Sequence, residues 1–376
     1  MTTQAVAERA RLSGRAVRGA VTFLVADGID DPARVSGGNV YDQQVRDRLG
    51  DHGWHVSTVP VADGTAVGAV LAALPDAATV LVDGLVAAWA PDQVAAAGVR
   101  LRIVVLAHMV AAAFPGVTPA VVAGERRALA AAHRVVVTSA WTARELQRRG
   151  LVDAGRLALA APGAAASGRL PWLGARPVRS GRSSYAPNER AAPHTWNVRA
   201  RRLLCVGVVA SHKGQDVLLA ALARLPERDW TCTIVGSAET APRFAAEVRR
   251  DADRFDGRVR LTGVLGRPDL GAEYARGGLL VAPSRVESAG MAIAEARARG
   301  IPVVATAVGG IPETVAGGGA MLVPPDDPAA LAAALRAWMT DPALRRRLRR
   351  EARAARTGLP TWDDTAAAVA SALDPA

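Results

Sequence analysis

The sequence predicts an α/β fold built from two successive Rossmann-like halves that face each other across a cleft. Short apolar runs that read as buried strands alternate with helical stretches along most of the chain, which implies parallel sheet with helices on both faces. The length of 376 residues exceeds what one core usually holds, so two domains are expected. The alternation breaks once, across residues 164–198, and then resumes.

In chain order, the first half offers strand candidates at residues 21–26, 55–61, 79–85, 102–107, 134–138 and 157–161. Helical stretches between them include 40–50, 118–133 and 139–149. Ser139 fits an N-cap, and Gly150 follows an arginine pair as a stop signal. Residues 164–198 are rich in Gly, Pro, Ser and Arg and carry Trp172, Tyr185 and Trp196, with Glu189 as the one acid. That is too long for an ordinary connection, and it reads as a linker plus a mobile loop, either without a role or covering a ligand. Strand candidates return at 202–209, 230–235, 259–262, 279–282, 302–305 and 321–323. The expected division is 1–163, a linker at 164–198, and 199–360. The amphipathic stretch 361–373 is expected to cross back, so that 361–376 packs on the first domain.

Half of the residues are hydrophobic and 4% aromatic, which describes a folded α/β protein rather than a fibrous or disordered one. The net charge of +11 favours anionic ligands wherever it lines a cleft, although free use of Arg across the chain explains much of it. Cys205 and Cys232, the only cysteines, lie in strand-like runs and read as small buried hydrophobes. No stretch approaches membrane-spanning length or a signal segment. A cytoplasmic location is expected, with peripheral membrane contact left open.

The most informative stretch is Pro283-Ser-Arg-Val-Glu287-Ser-Ala-Gly290-Met-Ala-Ile-Ala-Glu295. Two carboxylates stand eight residues apart around a glycine-bearing turn that opens a helix. Free N–H groups and partial positive charge there suit an anion. Were all eight steps helical, the carboxylates would lie about 12 Å apart along the axis, roughly the span of a nucleotide-sugar. Upstream, Lys213-Gly214 sits in a turn before a helix, a placement that suits phosphate and equally suits a solvated loop lysine. In the first half, Ser36-Gly37-Gly38-Asn39 follows the first strand; glycines there let backbone approach a diphosphate or simply cap the helix. His108 ends the strand at 102–107, on the edge where such sheets bind ligands.

Together these words resemble a retaining GT-B glycosyltransferase of the family-4, or group 1, type. In the second half the resemblance rests on Val206-Gly207, Lys213-Gly214, Ile234-Val-Gly236, Leu261-Thr-Gly263, Pro283-Ser with Glu287, Gly290 and Glu295, and Gly300-Ile-Pro302 through Val308-Gly-Gly310-Ile-Pro-Glu313. In the first half it is looser. The resemblance implies a GT-B fold and metal-independent, retaining transfer of a sugar from a UDP- or GDP-type donor to a hydroxyl acceptor, either a small molecule or a lipid, with no cofactor and no nucleic-acid partner.

It also implies roles. Glu287 would contact hydroxyls of the transferred sugar, and backbone N–H groups near Gly290, Met291 and Ala292 would hold sugar and phosphate. Glu295 would accept from the ribose hydroxyls. Lys213 would neutralise the departing diphosphate, and the base would lie against the turn at Val264. Gly37 and Gly38 would approach the diphosphate from the other side, and His108 would align the donor sugar. Asn39, Tyr41 and the segment around Tyr185 are the acceptor candidates. One departure stands out: many members of that family carry arginine where this chain has Val208, so Lys213 must suffice or His212 or an arginine must substitute.

No His/Cys cluster has zinc spacing, and Asp251-Ala-Asp253 reads as part of a surface helix. The run Arg345–Arg350 reads as a solvated face beside Leu344, Leu348, Ala352 and Ala355. A nucleotide-sugar epimerase and a non-enzymatic basic surface-binding protein are the alternatives. A nicotinamide-dependent dehydrogenase is weakened because no Gly-x-Gly-x-x-Gly follows the first strand.

Overall fold

The computed structural model describes residues 18–114, 116–164 and 200–375. Of the segment expected to be a linker or loop, residues 165–198, with Trp172, Tyr185 and Trp196, lie outside the described residues.

Two six-stranded parallel sheets form the two halves. In the first, the chain runs β1 (Gly19–Ala26), α1 (Gly37–Leu49), β2 (Trp54–Val61), α2 (Gly64–Ala73), β3 (Thr79–Asp83), α3 (Gly84–Trp89), α4 (Pro91–Ala97), β4 (Arg102–Ala107), α5 (Pro119–Ala131), β5 (Arg134–Val137), α6 (Ala140–Arg148) and β6 (Leu157–Leu159). The strand order is β2-β1-β3-β4-β5-β6. Strands such as β4 are buried along almost their whole length, as parallel strands covered on both faces must be, which explains their unbroken apolar runs. Ser36, Asp63, Thr118 and Ser139 each cap a helix start through a side-chain oxygen, satisfying N–H groups that no carbonyl reaches.

The second sheet runs β7 (Arg202–Val206), α7 (Gln215–Ala223), β8 (Thr231–Val235), α8 (Pro242–Asp253), β9 (Val259–Leu261), α9 (Arg267–Arg276), β10 (Leu279–Ala282), α10 (Met291–Ala298), β11 (Val303–Thr306), α11 (Ile311–Thr314), β12 (Ala320–Val323), α12 (Pro328–Thr340) and α13 (Pro342–Ala354). Its order is β12-β11-β10-β7-β8-β9. The chain ends in α14 (Trp362–Leu373), which packs on the first sheet. Val369, Ala370 and Leu373 join the core of Phe23, Tyr41 and Val104, and Trp54 Nε1 donates to the Ala370 carbonyl. Thr361 and Asp364 cap α14 reciprocally.

Strand order reverses between β1 and β3 in one sheet and between β7 and β10 in the other. Crevices open at the carboxyl ends of strands at such reversals. The loops after β1, β7 and β10 carry Gly37, Lys213 and Glu287 to the two crevices, and Asp83 stands at the carboxyl end of β3.

Cys205 and Cys232 are free and buried on the neighbouring strands β7 and β8, and burial pushes the Cys205 thiol up to about 12. Asp251 and Asp253 lie on α8, where Asp251 pairs with Arg254 at 3.2 Å. Arg345 departs from the solvated face expected for its run. It is 7% exposed and donates to the carbonyls of Trp338 and Met339, closing the end of α12, while Arg346, Arg347 and Arg350 are exposed. Among the described residues no helix is long and apolar enough to cross a membrane.

Candidate active site

The turn after β7 is pressed against the end of β10. Gly214 has φ +68°, and a Cβ there would stand 2.1 Å from the Pro283 carbonyl oxygen, so only glycine fits. Arg285 secures the same turn: it forks onto Asp216 at 2.9 and 2.7 Å, pairs with Asp326 at 2.6 Å, and donates to the Ser211 carbonyl. Lys213 is thereby aimed at Glu287, with Nζ 2.7 Å from Oε2.

Glu287 lies before α10 rather than on it. The helix begins at Met291, with Gly290 as N-cap at φ +67°. The helix opens at the glycine-bearing turn, as the sequence indicates, so the eight steps between the carboxylates are not all helical and the axial spacing of about 12 Å does not apply. Instead Glu287 Oε1 accepts the Gly290 N–H at 3.3 Å, covering the helix end. Burial alone would raise the Glu287 pKa, but the Lys213 charge and hydrogen bond, helped by the Gly290 N–H, hold it below the ordinary carboxylate range. The Gly309-Gly310 pair backs this loop. A Cβ on Gly309, at φ +57°, would meet the Glu287 carbonyl oxygen at 1.8 Å, and Gly310 N–H donates to that carbonyl at 2.9 Å.

Lys213, Gln215, Ser284, Glu287, Gly290 and Ala292 line one small cavity. Glu295 lies one turn along α10. Burial raises its pKa; Arg299, the Tyr274 hydroxyl and Arg267 work against that rise. Arg299 stacks over the Tyr274 ring at 4.5 Å. Val264 is half-buried in the turn between β9 and α9, which leads to Arg267.

Across the cleft, Ser36 Oγ caps α1, and the first turn of that helix carries Gly37 and Gly38. A Cβ on Gly38 would sit 3.6 Å from His108 Cδ2, and one on Gly37 would sit 3.4 Å from Met291 Sδ, so the two halves meet here. His108 Nε2 lies 2.7 Å from Asp42 Oδ1 and 3.2 Å from Asp83 Oδ2. Burial would lower the His108 pKa, but both carboxylates raise it to about 10. Burial raises Asp42 to about 7, against the pull of His108. Asp83 is also buried, yet His108, Asp42 and the Val86 N–H hold it down. Its Oδ1 accepts the N–H groups of Leu85 and Val86 and so caps α3.

Neither Asp42 nor Asp83 was singled out from sequence. They come from different elements, and only Asp83's place at a strand end, beside the strand carrying His108, could have flagged it. The three groups offer ligand atoms within 4.8 Å of one another; their mutual hydrogen bonds account for that proximity.

Two expectations need correction. Tyr41 does not face the cleft: it is 1% exposed, its hydroxyl donates to the Ala160 carbonyl at 2.8 Å, and it packs edge-on against Trp362. One helical step of about 100° separates this core position from Asp42. His212 does not replace a missing cation, because burial and the Lys213 charge lower its pKa to about 4, leaving it neutral and edge-on to Phe114 across the cleft. Asn39 is half-buried, and its amide donates to the Arg34 carbonyl. At a further contact between the halves, Glu313 accepts the Trp141 N–H at 3.2 Å and stands 3.6 Å from Arg144.

Residues 200–341 match the family model described as Glycosyl transferases group 1. The chain is 33% identical over 241 residues to D-inositol 3-phosphate glycosyltransferase 1 of Catenulispora acidiphila, covering 60% of this chain and 53% of that protein. It is 34% identical over 254 residues to the D-inositol 3-phosphate glycosyltransferase of Xylanimonas cellulosilytica, covering 66% and 58%. The chain thus spans little more than half the length of these relatives. Among solved structures, sucrose-phosphate synthase from Thermosynechococcus elongatus superposes with a TM-score of 0.69 at 23% identity, covering 93% of this chain and 96% of that one. HepE of Anabaena, in complex with UDP-glucose, superposes at 0.67 with 18% identity over 94% and 98%. The two-sheet architecture matches these folds.

Proposed function

The chain belongs, through residues 200–341, to the glycosyl transferases group 1 family and has the GT-B fold, and on that premise we propose that it moves a sugar from a nucleoside diphosphate sugar to a hydroxyl acceptor, with retention of configuration and without a metal. The observation that carries this reading is the Lys213–Glu287 pair set across the N-terminus of α10, whose Met291 packs near Gly37 of the Gly37-Gly38 turn. A cation, a helix N-terminus and close-approaching backbone together make a diphosphate site.

In this reading the second half binds the donor. Lys213 meets the diphosphate, and the N–H groups of Gly290, Met291 and Ala292 take phosphate and sugar oxygens. Glu287 exchanges its contact to the Gly290 N–H for sugar hydroxyls. Glu295 accepts from both ribose hydroxyls, and the base rests against Val264. Gly37 and Gly38 close over the diphosphate, and His108 aligns the sugar. The first half, with Asn39 at its edge, faces the acceptor. UDP is the preferred nucleotide, supported by the structure of HepE with UDP-glucose.

The reaction breaks the bond between the anomeric carbon and the β-phosphate oxygen and forms one from that carbon to the acceptor oxygen on the same face. The acceptor proton passes to the departing phosphate oxygen, so no separate protein base is required. Lys213 and the α10 N–H groups stabilise the charge that develops on that oxygen. Closed halves exclude water and limit hydrolysis.

The test is release of nucleotide from UDP- and GDP-sugars with and without acceptor, starting with D-inositol 3-phosphate, the acceptor named in the relatives above. Acceptor-dependent release with a retained anomer supports transfer. Sugar isomerisation with no acceptor present would instead favour the epimerase reading.

A further inference from the structure

Among the described residues, His108 is the one histidine whose ring nitrogen meets two carboxylates. Asp42 and Asp83 are both buried, while the imidazole keeps a partly exposed edge. Nε2 is committed to the two acids, so Nδ1 is the ring nitrogen without a partner among the described residues. The charged and titratable groups that face the ring are Asp42 and Tyr41 from α1 and Asp83 from the end of β3. Burial raises Tyr41 further, keeping it neutral.

Two ionised carboxylates beside a neutral imidazole would bury two uncompensated charges, which is prohibitive. A proton on the ring cancels one of them. Asp83 is anchored as the anion because Oδ1 already takes two N–H groups at the start of α3. Asp42 has no such backbone donors and relies on His108.

We propose that Asp42 and Asp83 form a two-carboxylate clamp on Nε2 that fixes both the orientation and the positive charge of His108, leaving Nδ1–H, on the side of the ring away from the Cδ2 that packs on Gly38, as a hydrogen-bond donor. A neutral histidine offers a donor or an acceptor at that edge according to its tautomer; the clamped ring offers only a donor. The ligand atom it meets is therefore an acceptor oxygen, of a phosphate or of a sugar hydroxyl. Asp42 is a positioning residue that acts through His108, and Asp83 couples the same ring to the α3 N-terminus. That this edge touches the donor rests on the function proposed above; the clamp belongs to the free protein.

The experiment is a pH titration of the free protein by long-range ¹H–¹⁵N spectra of the histidine rings, with the His108 signals assigned by their loss in His108→Gln. The parent is expected to keep both His108 nitrogens protonated beyond pH 8. Asp42→Asn should lower the midpoint by about one pH unit or more, and activity, where present, should lose its alkaline limb at correspondingly lower pH. A parent His108 that titrates near the ordinary value of about 6.5, or a midpoint unmoved by Asp42→Asn, overturns the clamp. Should Asp42→Asn fail to fold, the parent titration alone decides. An intact clamp without turnover of any nucleotide-sugar sustains this inference and removes the donor reading; transfer with a neutral His108 does the reverse.

Discussion

Lys213 Nζ stands 2.7 Å from Glu287 Oε2, joining two loops that are 74 residues apart in the chain. Each partner is held from behind by a glycine that admits no side chain: Gly214 against the Pro283 carbonyl and Gly309 against the Glu287 carbonyl. The pair is thus a preset cation and acceptor at the open end of α10, oriented before any ligand arrives.

Lys213→Ala should lower turnover by about 10²–10³, the usual effect of deleting one group that stabilises charge in the transition state. It should also cost about 2 kcal/mol of stability, because Glu287 is left buried without its partner. In the parent, Glu287 has a depressed pKa, so its contribution is present above about pH 4.5 and is lost as pH falls through the folded value. Parent and variant should therefore converge in acid. Urea unfolding between pH 7 and pH 3 checks this, and a gap independent of pH would speak against the pair.

Gly309→Ala touches no ligand in the proposed site, yet should weaken donor binding as well as the fold. The strained φ alone costs about 1–3 kcal/mol, and the clash at 1.8 Å must move the Glu287 backbone. Wild-type affinity for the UDP-sugar donor in a stably folded Gly309→Ala protein would show that Glu287 is positioned some other way.

His108→Gln should narrow its stability deficit as pH rises. The folded His108 pKa is raised to about 10, so its contribution is complete below about pH 6.5 and is lost as pH climbs through 10. Asp42, raised to about 7, is ionised over most of the range from pH 7 to pH 10 and faces the charged ring as a carboxylate there. Thermal unfolding of parent and variant from pH 7 to pH 10 reads the difference; a gap that stays constant contradicts the charge assigned to the ring.

Glu313→Ala removes the acceptor for Trp141 N–H and the partner of Arg144. The pair with Arg144 is partly exposed and worth about 1 kcal/mol or less, so little global stability should be lost. The two halves should separate more readily, seen as a larger radius of gyration in small-angle scattering and a donor KM raised a few-fold. Unchanged scattering and KM would make this contact incidental.

How much was legible follows from how each feature is assembled. Strands β10 and β11 were readable because a parallel strand buried on both faces must be apolar throughout, and Ser139 was readable because capping is local. Lys213, Gly290 and Glu287 stood out through spacing within single loops. Helix α10 starts at Met291, just after the Gly290 turn that the sequence marks, so the all-helical spacing between Glu287 and Glu295 does not hold. The His108 cluster was hidden because Asp42 and Asp83 lie 66 and 25 residues before it and meet it only once β3, β4 and α1 are packed. At Tyr41, one position away on α1, the helix turns the side chain into the core.

The central claim is that the cleft beside Lys213 and Glu295 binds a nucleoside diphosphate. Calorimetric titration of UDP into the parent, Lys213→Ala and Glu295→Ala tests it most directly. The account predicts saturable one-site binding to the parent and affinity reduced at least tenfold, about 1.4 kcal/mol, in each variant. Equal binding of UDP to all three proteins, or none to the parent for UDP and GDP alike, would contradict it.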